Sequence, residues 1–578
     1  MLGLLGALLV LAAIGILARP LGRYMFKVFE GRPAFGDRIA LPVERLFFRL
    51  SGVDPNRGMT WKQYFKAILW LNLPMALICY LILRTQTHLP LNPDRQGVVA
   101  WPLAFNTTAS FIANCNWQAY SGEQTLSYLS QLAAIVFLQF TTPATGLAMV
   151  MGFMRGLGQK TETVGNFYAD YLRSLLRVLV PIAFLASLAL VATGVPDTLA
   201  GAAVVHTLQG ATQTISRGPV AALEGIKQLG TNGGGFFGAN SAHPFENPNW
   251  VSNVIEIGLM SILSTALVFT FGHTVDAQRA GTPQEGLRVG MRQANVLFGV
   301  TMTVLVACFL VIYGSELGGN PALHAALGVR LAPNMEGHEV RFGQALTSLF
   351  VTNTTAYTTG AVNAMHDSLT PLAGGTALLL MMLNAVFGGK GAGLLNMLMF
   401  LILTVFVSGL MVGRTPTFLG KKIESREIRL AAVAMLVHPV LILAPTAYAL
   451  VHRVGTSSLA NPALHGISEV VYAYASAAAN NGSAFAGLAA NTPFYNITIG
   501  LVILIGRYLS VAAMFAMAGS LAAKVPAAVT AGTLRTDTWS FGWVYAGVLL
   551  ILGALTFFPV LALGPIGESL AMHAGTWF

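Results

Sequence analysis

Ten long apolar blocks decide what this chain can fold into. They lie near residues 1–18, 65–84, 128–153, 174–195, 252–272, 293–314, 372–412, 428–451, 494–519 and 540–563. A helix needs roughly 20 mostly apolar residues to cross about 30 Å of hydrocarbon. Only 10% of the 578 residues are charged and 54% are hydrophobic, whereas a soluble domain charges about a quarter of its positions. Water cannot cover such a surface, and a lipid bilayer must. The expected fold is therefore an all-α integral membrane protein of about ten spanning helices. The block 372–412 is too long for one plain crossing.

The net charge of +10 would fit a nucleic-acid partner if it formed a patch, but it is dispersed by topology. Arg19, Arg23, Lys27, Arg32, Arg38, Arg45, Arg49, Arg57 and Lys62 fill the first inter-span segment, and basic residues return after every second span thereafter: Arg155 and Arg173, Arg279 and Arg292, Arg414 and Lys422, Lys524 and Arg535. The alternate loops are long and poor in Lys and Arg. By the positive-inside rule the basic loops are cytoplasmic, so both termini are expected outside and no nucleic acid is expected. The apolar start lacks a basic n-region and reads as an uncleaved first span. Cys79, Cys115 and Cys308 are too few and scattered for a disulfide framework or a zinc site.

The outward loops carry the decisive repetition. Four times a span is followed by a moderately apolar stretch that ends in small and amide residues, and then by another span. The stretches are Trp101 to Ile112, Pro219 to Leu229, Phe342 to Thr355 and Ala463 to Ala479; Pro219 suits a first helical position. Their endings are Ala113-Asn114-Cys115-Asn116-Trp117-Gln118, Thr231-Asn232-Gly233-Gly234-Gly235, Tyr357-Thr358-Thr359-Gly360 and Asn480-Asn481-Gly482-Ser483. The expected layout is four span–pore-loop–span repeats around a central pore, plus two extra helices. Its units are 1–63 (first span and basic segment), 64–155, 156–275, 276–413 and 414–522 (the four repeats, the third with a broken second span), and 523–578 (final span).

Irregular backbone survives at membrane depth only where it is buried in protein or lines water. Gly, Ser, Thr and Asn let a strand turn its carbonyls toward an axis, and four such strands make rings of oxygens that replace an ion's hydration shell. No carboxylate lies in these strands, whereas divalent ions favour charged oxygen ligands. A weakly hydrated monovalent cation, potassium, is the expected ligand.

At these residues the chain resembles a known family. Gly230-Thr231-Asn232-Gly233-Gly234-Gly235-Phe236-Phe237-Gly238-Ala239-Asn240-Ser241 with His243-Pro244-Phe245-Glu246-Asn247-Pro248 is similar to the second filter loop of the KdpA family, the potassium-binding subunits of bacterial Kdp P-type ATPases. The likeness continues in Gly360 to Ser368, Asn480 to Leu488, Asn491 to Asn496 and Gly413-Arg414-Thr415-Pro416 with Leu419 to Ile423. It implies the four-repeat fold of the potassium-transporter superfamily, K⁺ as ligand, and a bacterial inner-membrane location. It also implies a separate catalytic subunit that hydrolyses ATP, with two small accessory membrane subunits. One residue per repeat is implied at the filter centre, namely Cys115, Gly233, Thr358 and Gly482, with neighbours Asn114, Asn116, Thr231, Asn232, Gly234, Thr359, Gly360, Asn480, Asn481 and Ser483 lining the rings. Gln118 matches a glutamine linked to potassium affinity. Thr352-Asn353-Thr354 offers a second register in the third loop, and a thiol at Cys115 is a poor ligand for a hard cation.

Within 372–412, Gly388-Gly389-Lys390-Gly391-Ala392-Gly393 would break the span into two half-helices. The resemblance implies an intramembrane gating loop there, and a gate or coupling role is expected for Gly388, Gly389, Lys390, Gly391, Arg414 and Arg507. Arg507 interrupts an apolar block and is expected below the filter, blocking leak. The chain has neither a phosphate-cradling G-x-x-x-x-G-K-[ST] loop nor an Asp-Lys-Thr-Gly run. Among the histidines, His206, His366 and His465 fall in outward segments and are read as unpaired with a second ligand at helical spacing. A stand-alone, potential-driven channel would share the filter. A secondary transporter for organic solutes or a scaffold would have no use for four carboxylate-free strands.

Overall fold

The computed structural model describes residues 2–576 apart from 159, 280–287, 322–323, 326–327, 329–331 and 527–533. Among the described residues, ten helices are long and apolar enough to cross a membrane: α1 (Leu2–Phe29), α3 (Trp61–Thr85), α5 (Ser130–Leu157), α6 (Phe167–Thr193), α8 (Trp250–Gln278), α9 (Val289–Gly318), α12 (Ala392–Met411), α13 (Ser425–Val451), α15 (Pro493–Ala522) and α16 (Trp539–Leu561), which runs on past a kink at Gly564 into α17 (Gly567–Ala574). Each falls on one of the apolar blocks. The block 372–412 resolves into the short helix α11 (Pro371–Leu383) and the span α12, separated by residues 384–391.

Four further helices are the pore helices: α4 (Trp101–Ile112), α7 (Val220–Leu229), α10 (Gly343–Ala356) and α14 (Ala463–Ala479). Pro219 caps α7 from the position before its first residue rather than occupying the first turn. Polar side chains start two of the spans that follow the strands. Asn249 accepts from the backbone of Val251 and Ser252 to open α8, and Thr492 accepts from Tyr495 to open α15.

Burial sorts the spans into two shells. In α5, 83% of the most apolar window is buried, and in α8 72%, against 28% in α1, α3 and α13. The spans with inner positions carry the polar positions, and the outer spans show Leu, Ile and Trp such as Trp70, Leu73 and Leu77 to lipid. The shells meet through small residues. A Cβ on Gly22 of α1 would stand 2.5 Å from the Ala266 carbonyl oxygen of α8, so only glycine allows these helices to approach as they do.

Two elements escape a reading of apolar blocks. Helix α2 (Asp37–Ser51) lies within the first basic segment, with Ile39, Leu46, Phe47 and Leu50 exposed. It is lashed to α6 by the ion pairs Arg173–Glu44 (2.8 Å) and Arg177–Asp37. Strands β1 (Ala203–His206) and β2 (Thr212–Ile215) form an antiparallel hairpin in the segment before α7.

Candidate ion site

Each pore helix ends in a short strand, and the four strands are built alike. The N–H of Cys115 donates to the Ser110 carbonyl, that of Asn232 to Lys227, that of Thr359 to Thr354 and that of Asn481 to Ser476, all at 2.8–3.0 Å and all spanning five residues. The residues on either side of these four turn into the left-handed region: Asn114 and Asn116, Thr231 and Gly233, Thr358 and Gly360, Asn480 and Gly482. A donor consumed on the pore helix and two left-handed residues two apart turn the strand's backbone in one defined way, four times over.

This register corrects the alignment drawn from sequence. The structural equivalents are Asn116, Gly233, Gly360 and Gly482, each following Cys115, Asn232, Thr359 and Asn481. Cys115 and Thr358 therefore do not share a level with Gly233 and Gly482. Glycines alone could not show this, because Asn and Thr supply left-handed positions here as well. Thr352, Asn353 and Thr354 lie inside α10, where the Thr352 hydroxyl bonds the Ser348 carbonyl, so the second register is helix and not strand.

The strands close on one another in a ring. A Cβ on Gly233 would stand 2.5 Å from the Thr359 carbonyl oxygen. One on Gly360 would collide with the Asn481 carbonyl, and one on Gly482 with the Cys115 carbonyl. On the remaining side, Gly234 faces the Asn116 carbonyl oxygen at 3.2 Å from its would-be Cβ. The cyclic order is repeat two, three, four, one and back to two. The Cys115 thiol points away, toward the Ser476 carbonyl at 3.9 Å. The backbone of Cys115 thus belongs to the ring and its sulfur does not.

Side-chain amides brace the ring from outside. Gln118 clamps strands one and two, its Oε1 accepting from the Gly235 N–H at 2.9 Å and its Nε2 donating to the Gly235 carbonyl at 3.1 Å. Asn114 donates to the Thr231 carbonyl (3.2 Å) and Asn481 to the Thr354 carbonyl (2.8 Å). Reading the sequence missed Gln139 of α5, which donates to the Gly233 carbonyl (3.3 Å) while its own carbonyl receives Asn232 (2.9 Å). A glutamine inside an apolar block was the available signal. Behind strand two, fully buried Lys227 pairs with Glu224 (2.8 Å) and Glu246 (2.7 Å), and Glu246 also holds the Phe237 N–H at 2.7 Å. Ser483 links to Asn481 and, through the Tyr472 hydroxyl at 2.9 Å, to the Nδ1 of His366.

The ring is chemically suited to a bare monovalent cation. No strand residue is acidic. Buried oxygens without a partner cluster here, including Asn116 Oδ1, Thr354 Oγ1 and Thr359 Oγ1, and each such group costs about 1–3 kcal/mol unless something binds it. The pore helices end at the ring, so the negative ends of four helix dipoles face it.

Beneath the ring lies the break in the third repeat. Asn384 (φ 45°) ends α11, and the Gly388 N–H bonds the Ala356 carbonyl of α10 at 3.0 Å. A Cβ on Gly389 would stand 2.5 Å from Thr358 Oγ1, so the loop presses directly on the first residues of the strands. Lys390 Nζ donates to Thr231 Oγ1 at 2.8 Å. Gly391 packs on Gly146 of α5, and the Arg507 guanidinium reaches the same glycine. Asn384, Asn480, His438 and Arg507 line a cavity of about 60 Å³ below strand four. Among the described residues no carboxylate pairs with Lys390 or Arg507. Arg414 does not join them: it is exposed in the turn after α12, its N–H closing onto the Gly409 carbonyl (2.8 Å).

The histidine reading also needs correction. His465 and Glu469 lie four apart on α14, and their ligand atoms and that of Asp367 all lie within 4.8 Å of one another.

Four copies of one helix–strand unit closing a carbonyl ring inside a ten-span bundle define a multi-pass membrane protein with a four-repeat ring of backbone oxygens. The chain belongs to the KdpA family, the potassium-transporting ATPase A subunits, whose sequence profile matches residues 8–570. It is 57% identical over 571 residues to the potassium-transporting ATPase potassium-binding subunit of Alicyclobacillus acidocaldarius, covering 99% of both chains. It is 50% identical to that of Caldanaerobacter subterraneus over 566 residues, covering 97% of this chain and 98% of the other. To that of Geobacillus kaustophilus it is 49% identical over 558 residues, covering 96% and 97%.

Proposed function

We propose that this chain binds and translocates potassium as one subunit of an ATP-driven uptake complex. Potassium sheds water into the ring made by Asn116, Gly233, Gly360 and Gly482 and the carbonyls of Cys115, Asn232, Thr359 and Asn481. The observation that carries this reading is the fourfold five-residue turn with its closed ring of contacts. Thr231 and Thr358 sit at its lower edge, against the loop 384–391, with Asn114 and Asn480 the matching residues of the other two strands. Lys390 and Arg507 place two basic side chains on the inner side, where they oppose straight passage of a cation. The ion's energy source lies on another chain. A catalytic P-type subunit and two small membrane subunits complete the complex, in the bacterial inner membrane with both termini outside.

Potassium uptake into proteoliposomes tests this directly. The expected result is uptake against a gradient, with sodium rejected, only when the partner subunits and ATP are present. Potential-driven uptake by the lone chain, unchanged by ATP, would make it an autonomous channel instead.

A further inference from the structure

We propose that Asp367, His465 and Glu469 form a binding site for one divalent transition-metal ion of the zinc class, with Glu568 orienting the imidazole. The site stands at the end of α14 remote from its filter strand. It joins the turn after strand three to α14 and α17.

Glu469 points to a ligand. Its side chain is wholly buried, and its Oε2 has no hydrogen-bond partner. Its Oε1 and Oδ2 of Asp367 both lie within 3.1 Å of the Asn461 side-chain amide, which donates to each. Both oxygens also converge on Gly487, where any Cβ would strike them. Two carboxylates brought this close repel one another, and the hydrogen bonds Glu469 receives, from the backbone N–H and the side-chain amide of Asn461, both fall on Oε1 and leave Oε2 bare.

The donor set fits the proposed ion. One imidazole with two carboxylates is a common ligand set for Zn²⁺, whereas Ca²⁺ and Mg²⁺ favour oxygen alone. His465 and Glu469, four apart, project from one helix face as metal-binding pairs do. Nδ1 of His465 lies 2.7 Å from Glu568 Oε1, the outer carboxylate that typically fixes a metal-bound imidazole. Nε2 lies 3.0 Å from Asp367 Oδ1. A metal ion on Nε2 would replace its contact with Asp367 Oδ1, while Nδ1 keeps its hydrogen bond to Glu568. Entry is open through a cavity of about 700 Å³ lined by Asp367, Asn461, His465 and Glu568.

The test uses the full-length protein, stripped with a chelator and checked by size exclusion. It is titrated with Zn²⁺ against a chromophoric chelator, and with Co²⁺ followed by visible absorption. One Zn²⁺ per chain is expected, with Co²⁺ bands in the visible. His465→Gln and Glu469→Gln should weaken binding at least about tenfold, and Glu568→Gln by about tenfold through the lost orienting bond. Equal affinity of the wild type and His465→Gln overturns the proposal. If the variants do not survive purification, the wild type decides. A rise in its melting temperature with Zn²⁺ supports the site, and no rise together with absent Co²⁺ bands overturns it.

Discussion

Gly482 has φ 104°, and a Cβ there would meet the Cys115 carbonyl. Alanine at this position would be strained by its backbone and would push apart two adjacent strands. Gly482→Ala is expected to raise the potassium concentration for half-maximal uptake more than tenfold, as on the order of 1.4 kcal/mol of lost binding requires. Gln118 tests the brace rather than the ring. Gln118→Ala removes two cross-strand hydrogen bonds worth about 1 kcal/mol each, so potassium affinity should fall while the assembled complex stays intact on size exclusion. Gln118→Glu should be worse, because a carboxylate cannot donate to the Gly235 carbonyl. At this scale the sequence was only partly legible. Glycine occupies three of the four left-handed positions that share a level, and the sequence alignment picked out two of them, Gly233 and Gly482. Asn116 hid the position in the first strand. Thr358, itself left-handed one turn of the pattern too early, drew attention from Gly360. What aligns the strands is a backbone bond over five residues, and no side chain announces it.

The broken span was legible as an element, since an apolar run interrupted by Gly388-Gly389-Lys390-Gly391 has few other ways to cross a bilayer. Its target was not: that Lys390 would reach Thr231, 159 residues away in sequence, needs the fold. A basic group on the inner side of the ring raises the electrostatic barrier to a cation passing straight through. Lys390→Met and Arg507→Ala are each expected to raise uncoupled potassium leak in proteoliposomes by about tenfold or more. Leak unchanged in both variants would remove these side chains from the barrier. The joint between α5 and α6 is held by an ion pair. Arg155 grips Asp170 with two bonds of 2.6 and 3.0 Å, and the Tyr64 hydroxyl completes the cluster at 2.9 Å. Asp170→Asn leaves the half-buried guanidinium with Glu30, 3.5 Å away, as its remaining counter-charge, and about 1–3 kcal/mol of stability should be lost. A lowered melting temperature of the purified protein would report it. Helix α2 was missed because its arginines were read for topology alone, and they conceal its apolar face.

For the molecule as a whole, topology follows from where charge is scarce. Cys79 and Cys115 are buried and Cys308 is only partly exposed, so introduced cysteines can be read against a quiet background. On the proposed orientation, which puts both termini outside, Leu208→Cys in the β1–β2 turn should react with a membrane-impermeant maleimide in intact cells. Arg45→Cys in α2 should react only after the membrane is opened. The reverse pattern would invert the molecule. The count of spans and their places in the chain were readable because hydrocarbon thickness leaves a helix little choice of length. The ring was not, because closure is a property of four distant segments together.

That closure is written on a single polypeptide, and heredity sees the difference. In a pore made of four identical chains, one altered codon changes every quadrant at once. Here a change at Asn116, Gly233, Gly360 or Gly482 alters one quadrant and leaves three intact. Lesions in the filter should therefore form a graded series, and a defect in one quarter can be relieved by a second change in its neighbour. Gly234 against Asn116, and Gly482 against Cys115, are the pairs where such relief is to be sought.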